Sequence, residues 1–112
     1  MSAAATDYWG HPIAYAPWAD FGGAPVSIVF SCTGAWSDPL GGSSGTIYLN
    51  LYRDGNLIRQ TFEVIPPGFT TICDVWLDYP GAGGHQYSVE MTGSYNGGNN
   101  QRCALTAIGV KR

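Results

Sequence analysis

The tightest constraint on this chain is a dipeptide, Asp54-Gly55, set between two runs of alternating side chains. A two-residue type I′ turn needs positive φ at both central positions, and Asp-Gly supplies it at low cost. Upstream, Ile47, Leu49 and Leu51 fall on one face of an extended segment, with Tyr48, Asn50 and Tyr52 on the other. Downstream, Leu57 to Val64 is then expected to pair antiparallel with it, until Pro66-Pro67-Gly68 ends the run. A chain with a hairpin at its centre is expected to build outward by strands.

The rest of the sequence agrees. Val26, Ile28, Phe30 and Cys32 alternate with Ser27, Val29, Ser31 and Thr33, the period of a half-buried strand. Phe69 to Leu77 reads as the next strand, with Cys73, Val75 and Leu77 in one phase and Ile72, Asp74 and Trp76 in the other. Pro80 cannot donate to a ladder, and Gly81, Gly83 and Gly84 admit backbone angles that other residues resist, so the chain must turn there. Tyr87, Val89 and Met91 then alternate with Gln86, Ser88 and Glu90, and Ala104 to Arg112 closes the domain with a last strand. About seven or eight short, evenly spaced strands with no helical period predict an all-β antiparallel sandwich or barrel.

At 112 residues the chain is long enough for one domain. We expect an extended N-terminal arm over residues 1–25 and the sandwich over residues 26–112. The arm strings Tyr8, Trp9, Ile13, Tyr15, Trp18 and Phe21 between Pro12, Pro17 and Pro25. It reads either as a strand padding the domain's own sheet, with Ile13, Tyr15 and Pro17 on one side, or as a docking arm. In the second case Tyr8, Trp9, Tyr15 and Trp18 are the interface anchors, of the rigid aromatic kind that dominates interfaces.

Charged residues make up only 12% of the chain, against 45% apolar, where about 25% charge is ordinary. Either Ser, Thr, Asn and Gly take the place of charge on the surface, or much of that surface faces other protein. Tyr48, Tyr52, Trp76, Tyr79, Tyr87 and Tyr95 are expected on outward faces, where they would form an apolar patch that association hides. Net charge is −3, and the basic residues are scattered or terminal, which argues against a nucleic-acid partner. The absence of a long apolar run argues against a membrane partner, and with no basic, apolar leader at the start it predicts a soluble chain without a secretion signal.

No catalytic constellation assembles. His11 and His85 are isolated, no Gly-x-Ser-x-Gly elbow occurs, and Asp54 and Asp78 are accounted for by turn chemistry. Glu63 with Asp74, the one candidate for the spaced carboxylate pair that glycoside hydrolysis needs, is expected on solvent faces. Neither a metal nor a cofactor site is expected: the cysteines lack chelate spacing and no acidic cluster has calcium-ligand spacing. Cys32, Cys73 and Cys103 each lie in phase with apolar neighbours and read as reduced, buried thiols, with a Cys73–Cys103 disulfide as the alternative. Candidate contacts lie in loops. Trp36, in a loop expected over residues 34–45, either meets a partner or caps the core. Tyr95, Asn96 and Asn99 belong to a polar stretch that either binds a sugar, with Tyr95 as stacking platform, or simply connects two strands.

Asp78-x-Pro80-Gly81-Ala82-Gly83 followed by Tyr87-x-Val89, the terminal Leu105-Thr106-Ala107-Ile108-x-x-Lys111-Arg112, and Leu51-Tyr52-Arg53-Asp54-Gly55-x-Leu57-Ile58 upstream resemble the C-terminal half of small tailed-bacteriophage virion proteins. The chain departs from their pattern at Tyr79 and Gly84-His85. The resemblance implies a jelly-roll sandwich like the tumour-necrosis-factor domain, a homotrimer, and a place in the virion after assembly in the host cytoplasm. It implies a non-enzymatic capsid decoration (cement) protein whose partners are its own copies and the major capsid protein or other virion proteins. The alternative it leaves open is a tail-fibre tip or receptor-binding module for a host glycan.

Overall fold

The computed structural model describes residues 5–6, 12–36, 45–65, 68–93 and 102–110. Among them are ten strands: β1 (Ala5–Thr6), β2 (Pro12–Tyr15), β3 (Ala19–Asp20), β4 (Val26–Trp36), β5 (Gly45–Arg53), β6 (Asn56–Ile65), β7 (Gly68–Asp78), β8 (Gly84–His85), β9 (Tyr87–Gly93) and β10 (Arg102–Gly109). All pair antiparallel. The larger sheet runs β1-β2-β9-β5-β6, a second runs β10-β4-β7, and β3 with β8 form a short ribbon.

The central hairpin forms as expected. Asp54 has φ 53° and Gly55 φ 82°, the double positive φ that a type I′ turn demands. Ladder partners Arg53 and Asn56 flank it. The register shifts between Leu51 and Tyr52, so Ile58 is the extra residue of a bulge, and it packs against the core.

Inward residues of the two larger sheets make one core. Val26, Ile28, Phe30 and Cys32 of β4 and Cys103 and Leu105 of β10 face Ile47, Leu49 and Leu51 of β5 and Tyr87, Val89 and Met91 of β9, all buried. The alternation that predicts those strands is therefore the alternation between core and outside.

Strand β7 differs. Its expected core phase, Cys73, Val75 and Leu77, is exposed, whereas Trp76 is buried and Ile72 packs against the core. Pairing with β4 decides this, because Trp76 stands opposite Ile28 and Ile72 opposite Cys32, and directly opposed residues share a face. The Trp76 ring lies 4.5 Å from that of Phe30. Cys73 is thus an outward thiol. It is also separated from β10 by the intervening β4, so the Cys73–Cys103 bridge does not form. Trp76 and Tyr87, expected outside, are core residues.

Part of the expected arm belongs to the sandwich. β2 lies between β1 and β9, with Ile13 opposite Glu90 and Tyr15 opposite Ser88, and Ala14 and Ala16 are buried. The padding reading therefore holds for residues 12–16, with Ala14 and Ala16 facing in. Beyond them, Phe21 closes one end of the core. Its ring meets Tyr87 edge-on at 6.0 Å, and a Cβ on Gly109 would come within 3.3 Å of it.

Candidate functional site

Two outer faces and one polar end of the sandwich carry what chemistry the described residues hold. On β10-β4-β7, ladder rows Thr106–Val29–Val75, Ala104–Ser31–Cys73 and Ile108–Ser27–Leu77 point outward. None of these side chains is charged. Val75, Leu77 and Ile108 are 56%, 50% and 51% exposed. The small side chains of Ser31 and Ala104 leave a shallow hollow of about 230 Å³ at the centre, with Cys73 on its wall.

The outer face of the larger sheet is different in kind. Gln60 Nε2 donates to Asn50 Oδ1 (2.6 Å), Asn50 Nδ2 donates to Glu90 Oε1 (3.2 Å), and Tyr52 OH donates to the same oxygen (2.9 Å). Glu90 can accept from both because β5 lies beside β9 with Asn50 opposite Glu90. Burial and the Glu90 bond together push the Tyr52 phenol up to about 12. Tyr15 and Tyr52 flank Ser88 in the same ladder, and Tyr48 leans on Phe62 at 6.3 Å. Aromatic rings here surround a core of amide and carboxylate.

At one end, carboxylates tie loops and sheets together. Asp54 Oδ2 lies 2.7 Å from His85 Nδ1, while its Oδ1 accepts from the Gln86 backbone N–H at 2.8 Å. The His85 bond, with that N–H, holds the Asp54 carboxyl below its ordinary value, and Asp54 in turn raises the His85 pKa. His85 Nε2 is buried without a well-formed hydrogen bond, and the nearby carbonyls of Ala82 and Gly81 favour the protonated ring. Asp78 Oδ2 accepts from Arg53 (2.8 Å) and Tyr87 OH (2.7 Å), joining β7 to the other sheet. Burial pushes the Asp78 carboxyl up, but these two bonds outweigh it and keep it below the usual range. The local turn chemistry expected of Asp54 and Asp78 is thus only part of their role.

The His85–Asp54 pair has the look of half a hydrolytic triad, but a triad needs a nucleophile on the other ring nitrogen. Among the described residues none bonds His85 Nε2. No group of three or more His, Cys, Asp or Glu among the described residues is placed to hold a metal ion. Nor is any helix there long and apolar enough to cross a membrane.

Of the expected contact residues, Tyr15 lies in β2 on the outer face of the larger sheet at 44% exposure, and Trp18, at 62%, follows that strand. Trp36 is not a loop residue. It ends β4, paired with Gly68, because the β4–β7 ladder runs three residues beyond the expected Thr33. Tyr8, Trp9, Tyr95, Asn96 and Asn99 lie outside the described residues. The Asn50–Gln60–Glu90 network escapes a one-strand reading, since its members come from three strands. No protein-family model matches the chain, and a search of curated proteins finds no match either.

Proposed function

We propose that the chain is a non-enzymatic structural protein of a tailed-bacteriophage virion, a capsid decoration (cement) protein that binds the outside of the head shell as a homotrimer. The observation that carries this reading is the trio of uncharged outward rows at the centre of β10-β4-β7, Thr106–Val29–Val75, Ala104–Ser31–Cys73 and Ile108–Ser27–Leu77. A soluble monomer rarely leaves a large contiguous apolar surface to water, and copies of the same chain around a three-fold axis cover it without needing opposite charge. The strand order supports a jelly roll. From β4 onward every connection crosses between the sheets except the β5–β6 hairpin, a Greek-key habit found in capsid and lectin domains alike.

Light scattering on the purified protein tests the assembly. The expected mass is three times the 11.9 kDa chain, and Val75→Arg, which buries no charge in an isolated subunit, is expected to yield folded monomers. A wild-type monomer at micromolar concentration defeats the proposal. Binding to purified head shells, with the major capsid protein as partner, tests the cement role directly.

A second reading, a tail-fibre tip or receptor-binding module for a host glycan, is favoured by the outer face of the larger sheet. Exposed rings beside fixed amide and carboxylate groups suit a sugar's apolar face and hydroxyls. Glycan-array binding that disappears in Tyr48→Ala and Phe62→Ala variants would select this reading over cement.

A further inference from the structure

Cys32 and Cys103 stand directly opposite each other in the antiparallel β4–β10 ladder. Both point into the core with no exposed surface. Opposed residues in such a ladder hold their Cα atoms roughly 4.5–5.5 Å apart, inside the roughly 4.4–6.8 Å range that a disulfide spans. Here the two Sγ atoms are in direct contact, 2.6 Å apart, with both side chains as free thiols. The third cysteine is excluded from this pairing, because Cys73 faces outward on the far side of β4.

We propose that Cys32 and Cys103 are joined by a disulfide in the mature protein, tying β10 to β4, while Cys73 stays a thiol. This replaces the sequence-based expectation that both inward sulfurs remain reduced, and it stands whether or not the virion reading does.

The chemistry needs a disulfide co-reactant, of which oxidised glutathione is the simplest. One protein thiolate attacks a glutathione sulfur, forming a mixed disulfide and releasing a glutathione thiolate that takes up the proton. The second cysteine, deprotonated, attacks the protein-side sulfur and releases the other glutathione. Two protein thiols are oxidised by two electrons to one bridge, and one oxidised glutathione becomes two reduced ones.

Timing follows from the packing. With β10 docked, the neighbouring Cys32 sulfur and burial push the Cys103 thiol far above its ordinary value, and with neither cysteine exposed no glutathione reaches the pair. Exchange therefore belongs to folding, or to opening of β10, which among the described residues is an edge strand paired only with β4. Once formed, the bond is sealed from reductant by the same burial. It closes a loop between residues 71 positions apart, a long-range constraint on the unfolded chain.

The full chain is equilibrated in a glutathione redox buffer, then unfolded in guanidinium with excess N-ethylmaleimide and no reductant, and weighed intact. One adduct, mapped to Cys73, with a mass two hydrogens short is the expected result. Three adducts, or a single adduct mapped to Cys32 or Cys103, overturn the proposal. In a Cys73→Ser background, reduction of the unfolded chain and refolding is expected to lower the thermal midpoint by roughly 10 °C. An unchanged midpoint overturns the claim that the bridge braces the fold. The mass measurement uses the natural chain, so it decides the matter even if Cys32→Ala and Cys103→Ala variants fail to fold.

Discussion

His85 follows a glycine-rich turn and has no chemistry-bearing neighbour in the chain, yet it is clasped to the first turn residue of a hairpin 31 positions away. The clasp has a definite pH sign. The folded His85 pKa lies above the ordinary 6.5, so its contribution is complete below pH 6.5 and is lost as pH rises through the folded value. Asp54 is shifted the other way, so its contribution is present above the ordinary 3.8 and lost as pH falls. The thermal midpoint is therefore expected to decline as pH is raised above 6.5, and a His85→Asn variant is expected to lose that slope. An NMR titration of the imidazole checks the direction independently: a midpoint below that of a model peptide contradicts the clasp.

Among the elements, the hairpin and β7 make opposite demands on the chain. Nothing lies within 4 Å of a Cβ built on Gly55, whose φ is +82°, so Gly55→Ala meets backbone strain alone and is expected to cost about 1 kcal/mol. On β7 the cost depends on which face a residue occupies. Trp76→Ala removes a buried ring packed on Phe30 and lying 5.0 Å from the Arg59 guanidinium, and is expected to cost about 3–5 kcal/mol. Cys73→Ser, three positions away and exposed, is expected to change stability by less than about 0.5 kcal/mol. Denaturant midpoints measure all three. Equal costs at residues 73 and 76 would mean that the β7 register is wrong.

For the molecule as a whole, the place of β2 decides where an arm can begin. Deleting residues 1–11 leaves β2 on β9 and is expected to preserve cooperative unfolding. Deleting residues 1–16 strips Ala14 and Ala16 from the core and makes β9 an edge strand, an outcome expected to abolish a sharp melt or to cause aggregation. Only the shorter deletion is thus a fair test of docking. If the arm holds the shell, that trimmed protein loses capsid binding while keeping its melt.

Much of the fold was legible in the chain because alternation is a local property. In β4, β5, β9 and β10 a single window of residues records which side chains meet the core, and Asp54-Gly55 records the reversal between β5 and β6. In β7 alternation fails, since Val75 and Leu77 look more apolar as a set than Ile72, Asp74 and Trp76. Only pairing with β4 selects the face. The candidate surfaces were less legible still: the uncharged outward rows draw on three strands, and the Asn50–Gln60–Glu90 network joins residues up to 40 positions apart. The sequence by itself determined that the chain makes antiparallel strands, where its central hairpin turns, and which side of most strands is apolar, because backbone geometry and side-chain period act over a few residues. Tertiary structure alone decided that Cys32 meets Cys103, that Asp54 meets His85, and that β2 enters the sheet. Those choices depend on register between distant segments, and no local window carries register.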